Sequence, residues 1–79
     1  MVWPVTWGVG GLRKRSINLA GHATSLALEP AFWEVLEQMA RDRRLALAGL
    51  VGEIDAGRGD QPLASACRVE ALRWTTGKA

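Results

Sequence analysis

Polar and apolar residues alternate along the stretch from Ser16 to Leu28. Ile17 and Leu19 are apolar with Asn18 between them, and beyond Gly21 the apolar positions are Leu26 and Leu28, with Ser25 and Ala27 opposite. A period of two is the signature of a half-buried strand. The apolar positions are odd-numbered before Gly21 and even-numbered after it. A one-residue bulge at the glycine would restore a single face; otherwise residues 16 to 21 form an extended arm that leads into one strand, 22 to 28. Both readings predict a single strand.

Glu29-Pro30 ends that strand, because the residue before a proline is held extended and proline suits the first turn of a helix. The period then changes. Phe32, Leu36, Met39 and Ala40 share one stripe, widened by Trp33 and Val35, which predicts a helix over roughly 30–43. Glu37 and Arg41 stand at the i,i+4 spacing that favours an ion pair. A second helix is predicted from Ala46 to Ala56, with Leu47, Leu50, Val51 and Ile54 facing inward and Gly57 as a left-handed cap. A third starts near Pro62, with Leu63, Ala66, Cys67 and Leu72 on its stripe.

A chain of 79 residues is close to the lower limit for folding unaided. Its single cysteine, Cys67, excludes an internal disulfide and a cysteine-rich metal site. A lone strand with an apolar face also needs a neighbour. The expected remedy is a second copy: two chains pairing their strands antiparallel into a ribbon covered by the helices of both.

Charge adds one feature. The net charge is only +2, but Arg13, Lys14 and Arg15 stand together without an acid among the first 22 residues. Such a basic lead-in before a strand suits an anionic partner. The first dozen residues carry no charge and include Trp3, Trp7 and the glycine-rich Gly8-Val9-Gly10-Gly11, which lacks the rest of a nucleotide-binding motif. No apolar run is long enough for a membrane span, and the basic cluster follows the apolar segment, the reverse of a secretory leader. A cytoplasmic protein is expected.

Candidate chemistry is sparse. His22 is the sole histidine, Cys67 falls on an apolar stripe, and Glu53 and Asp55 sit on different helix faces. Both acids read as solvated, or as paired with Arg58 or with an arginine of a second subunit. Phe32 and Trp33 read as packing. No nucleophile, base and oxyanion site assembles, so neither an enzyme, a metal nor a cofactor is expected.

The segment Arg15 to Trp74 resembles a ribbon-helix-helix domain of the Arc-like superfamily. The closest similarity is to small bacterial proteins with the pattern Gly21-His22-x-Thr24-Ser25-x-x-Leu28-Glu29-x-x-Phe32-Trp33, a Glu53-Ile54-Asp55 segment and a later Leu63-x-Ser65-Ala66-x-Arg68. The resemblance implies a mostly helical fold with one short strand, an intertwined homodimer with a two-stranded antiparallel ribbon, and an extra C-terminal helix. It divides the chain into a flexible tail (1–14), the domain (15–76) and a short end (77–79).

The resemblance further implies a transcriptional regulator whose ribbon enters the major groove of double-stranded DNA. With Leu26 and Leu28 facing the core, Ala23, Ser25 and Ala27 would face the bases. Arg13, Lys14 and Arg15 would neutralise phosphates, and the backbone at Ala46, Leu47 and Ala48 would clamp one at a helix amino terminus. The rival reading is a homodimeric protein-interaction module, or an antitoxin-like protein, that grips a protein partner through its third helix or its tail.

Overall fold

A computed structural model describes residues 11–77. Strand β1 runs over Arg13–Leu19 and β2 over His22–Leu28, followed by helices α1 (Pro30–Asp42), α2 (Leu47–Gly57) and α3 (Leu63–Gly77). The first ten residues, with Trp3, Trp7 and most of the glycine-rich stretch, lie outside the described part, as does Lys78.

The alternating region therefore holds two strands where the sequence pattern predicts one. They pair antiparallel within a single chain, from Arg13 opposite Leu28 to Leu19 opposite His22. The change of parity at Gly21 is neither a bulge nor the end of an arm. It is a two-residue hairpin turn in which Ala20 (φ 51°) and Gly21 (φ 85°) are both left-handed, as a type I′ connection requires. Every odd residue of β1 lies opposite an even residue of β2, so one face carries odd numbers before the turn and even numbers after it.

That face is the core face. Ile17, Leu26 and Leu28 are buried against the helices, and Leu19 packs at the margin. The helical stripes complete the core with Trp33, Leu36, Met39 and Ala40 from α1, Leu50, Val51 and Ile54 from α2, and Ala66, Cys67 and Ala71 from α3. Leu28, Leu36, Leu50 and Val51 are fully enclosed, each worth about 1.5–3 kcal/mol of burial. Among the described residues only Leu12 and Leu72 are large, apolar and exposed. One chain thus hides both strand leucines, which removes the reason for expecting a second copy to cover them.

The helix ends follow local chemistry. Pro30 opens α1, whose first bonds run from the Phe32 and Trp33 amides to the Glu29 carbonyl. Its carboxyl end closes in a Schellman turn: the Arg44 amide bonds the Arg41 carbonyl, the Leu45 amide bonds the Ala40 carbonyl, and Arg44 is left-handed (φ 58°). Gly57 is not the left-handed cap of α2. It remains helical, Arg58 caps the helix in the right-handed region, and the left-handed residue is Gly59 (φ 62°), two positions later.

Candidate nucleic-acid interface

The pairing register fixes what the outer face of the hairpin carries. Lys14 stands opposite Ala27, Ser16 opposite Ser25, and Asn18 opposite Ala23. All but the half-buried Ala27 are exposed. Ala23, Ser25 and Ala27 thus lie on the face away from the core, beside three polar residues of β1. The alternation alone does not place Ser16 and Asn18 on this face, because it predicts one strand where there are two. The signal that points to them is the parity switch itself, which coincides with the two-residue turn. The combined face is flat and hydrogen-bonding: two alanines and two serines leave the amide of Asn18 and the ammonium of Lys14 as its tallest groups.

The basic run does not act as one patch. Lys14 points outward, while Arg15 stands on the opposite face of the strand, beside α1. Its Nη1 is 2.9 Å from Glu37 Oε2, and its guanidinium lies 4.9 Å from the Trp33 ring centroid. Glu37 is therefore engaged by Arg15, across 22 residues, rather than by the predicted helical neighbour Arg41. A shallow cleft gathers Arg13, Lys14 and Arg15 with Trp33, Glu34 and Glu37. Its two carboxylates offset part of the cationic field.

Trp33 is buried, and its Nε1 donates a 2.8 Å hydrogen bond to the Arg13 carbonyl. Phe32 lies under the guanidinium of Arg68, 5.8 Å from its ring centroid, and Arg68 Nε bonds Glu29 Oε1 at 2.9 Å. Both aromatics are packing residues that tie the start of α1 to its surroundings. Glu29 consequently gives no side-chain cap to the helix it precedes.

Ala46 forms the amino-terminal cap of α2, extended (φ −68°, ψ 155°) and without a side-chain cap bond. Leu50 is the first amide bonded back to it, at 3.0 Å. The amides of Leu47 and Ala48 precede that bond and have no acceptor within the helix. Their side chains are half-buried, so only the backbone is offered there. Arg43 and Arg44 precede this terminus, and Arg43 contacts Glu53 at 3.5 Å. Arg58 pairs with Asp55 at 2.7 Å, so both acids of the Glu53-Ile54-Asp55 segment meet arginines of the same chain.

His22 is exposed at the turn end of β2. Cys67 is fully buried, and burial pushes its thiol up to about 11. Among the described residues no cluster of histidine, cysteine or acidic side chains could hold a metal ion, and no helix is long and apolar enough to cross a membrane.

No match was found among curated proteins or among solved structures. A family model described as a ribbon-helix-helix domain matches residues 12–75, from just before β1 almost to the end of α3. That span takes in the hairpin and all three helices, so the chain belongs to the ribbon-helix-helix domain family.

Proposed function

We propose that this protein binds double-stranded DNA as a homodimer and regulates transcription in the bacterial cytoplasm, without a cofactor. The observation that carries this reading is the outer face of the hairpin: small, polar, exposed and edged by Lys14, on a fold whose family typically binds DNA. A two-stranded ribbon fits the major groove, and phosphate contacts from basic side chains and helix amino termini fix its register.

The homodimer is supported by an open edge of the hairpin, that of β2. In a hairpin with a two-residue loop, the pair that closes the turn exchanges hydrogen bonds. The main-chain groups of His22, Thr24, Leu26 and Leu28 then point at β1, and those of Ala23, Ser25 and Ala27 point away. Among the described residues no strand pairs with that second edge. Antiparallel pairing with the same edge of another copy places the two β2 strands at the centre of a four-stranded sheet, with Ser25 near its dyad. Ala23, Ser25 and Ala27 of both copies are the groove-facing residues. Lys14 and Arg13 supply phosphate contacts, with Arg15 fixing the strand through Glu37 and Trp33. The α2 amino terminus at Ala46, Leu47 and Ala48 supplies a further clamp.

The rival partner-gripping role through α3 has less to stand on, since Leu72 is the one large apolar residue that helix exposes. Selection of bound duplexes from a random pool, followed by titration over a salt series, tests the proposal. A dyad-symmetric motif and a steep salt slope are expected. A purified protein that binds no duplex at low salt overturns it.

A further inference from the structure

A four-stranded sheet built from two hairpins would be wider than the ribbon that a major groove admits, and this would give β1 a different task from β2. Neighbouring strands lie about 4.8 Å apart. On the dimeric reading above, on which this inference rests, the order is β1-β2-β2-β1. The two central strands span one such interval, and the two outer strands stand three intervals, about 14 Å, apart. The major groove is about 12 Å wide. The central pair fits between the groove walls, and the outer pair does not.

We propose that β1 is a phosphate rail: Lys14, Ser16 and Asn18 of each subunit engage the sugar-phosphate ridges on either side of the groove, leaving base reading to β2. The chemistry of the two strands divides accordingly. β1 presents an ammonium, a hydroxyl and an amide, all hydrogen-bond donors, spaced two residues apart and exposed. Ridges of phosphate oxygens call for such a row of donors. β2 presents alanine, serine and alanine, short enough for its backbone to settle against base edges. The opposite assignment would put the longest side chains of the face in its deepest place and leave two methyl groups at the phosphates.

Two variants test the rail on the duplex that the wild-type protein selects and on a scrambled duplex. Ser16→Ala with Asn18→Ala removes neutral donors, so affinity should fall about tenfold or more on both duplexes, with the salt slope unchanged. Lys14→Ala removes one phosphate neutralised per subunit, so the slope of log K against log salt should flatten by about 1.8 for the dimer. Neither variant should alter the selected motif, whereas Ser25→Ala should. These side chains are exposed, and an unchanged circular dichroism melt would confirm that the variants fold. A changed motif in the Ser16/Asn18 variant would show that β1 reads bases and would overturn the rail. Wild-type affinity in both variants would overturn it as well. A wild-type protein that binds neither duplex removes the parent reading, and the rail with it.

Discussion

Trp33 Nε1 donates a 2.8 Å hydrogen bond to the main-chain carbonyl of Arg13, tying the first turn of α1 to the first residue of β1. The ring beneath that bond is buried, and Arg15 lies over it. One side chain thereby holds the open end of the hairpin, the end farthest from the Ala20-Gly21 turn. Trp33→Phe keeps much of the apolar contact but loses the donor. It should cost about 1–3 kcal/mol, combining a lost hydrogen bond with a small packing loss. Arg15→Ala should cost about 1 kcal/mol or less, because the Glu37 pair and the ring contact are both partly solvated. Urea unfolding followed by circular dichroism gives both values. Equal stability of the phenylalanine variant and the wild type would dismiss the tie.

Among the described residues, two with side chains occupy left-handed backbone, Ala20 at φ 51° and Arg44 at φ 58°. An L-residue there loses roughly 1–2 kcal/mol, a cost that glycine avoids and asparagine reduces. Arg44→Gly should therefore stabilise the protein by about 1 kcal/mol, through relief at the Schellman turn that closes α1. Ala20→Asn should act in the same direction, because it creates the Asn-Gly pair that type I′ turns prefer. Gly21→Ala should destabilise, since φ is 85° there, although open space surrounds the position. Thermal melts that fail to rise for Arg44→Gly would count against this account.

These left-handed residues also mark where the sequence was readable and where it was not. The three helices were legible because each carries a 3.6-residue stripe, with Pro30 and Pro62 marking two of the starts, although Leu72, expected on the inward stripe of α3, is exposed and Ala71 is buried instead. The hairpin was not. Its turn is Ala-Gly, and alanine does not announce a positive φ, so the strongest short-range hairpin cue was missing. Only the parity switch remained, and a bulge accounts for that equally well. Misreading the turn hid Ser16 and Asn18 and made a second chain look necessary to cover Leu26 and Leu28. Arg15 was opaque for another reason. Its partners, Glu37 and Trp33, are distant in sequence, and no local rule connects them. Gly57 is the first glycine after the stripe and so looks like the cap, whereas the helix runs one residue further, with Arg58 as its cap.

The Glu29–Arg68 pair links the strand–helix junction to α3 and carries a pH signature. The hydrogen bond from Arg68 holds the Glu29 carboxyl below its ordinary 4.5; the backbone amide of Glu29 adds to this, and partial burial opposes it. A carboxyl that is more acidic in the folded protein favours folding. That contribution is whole above the unfolded value of 4.5 and disappears as pH falls through the lower folded value. Both side chains are partly exposed, so the effect is modest. Urea midpoints for the wild type and Glu29→Gln should differ at pH 7, and the gap should be narrower at a pH well below 4.5. A gap of the same size at both pH values would mean that the pair contributes nothing through ionisation.

Cys67 reports on whether α3 closes the core. The thiol is raised to about 11 chiefly by burial, helped by the charge of Asp55 and opposed by that of Arg68. At pH 8 roughly one thiol in a thousand is then ionised, and the native chain shields even that fraction. Reaction with a disulfide reagent at pH 8 should be far slower than for an unfolded control. It should recover the free-thiol rate only in urea concentrations that melt the protein. Cys67→Ser should cost about 1–3 kcal/mol, because a hydroxyl would replace a thiol in a fully enclosed apolar site. Rapid labelling of the native protein would mean that α3 stands away from β2. The leucines of that strand would then be uncovered, and a second copy would again be needed to bury them.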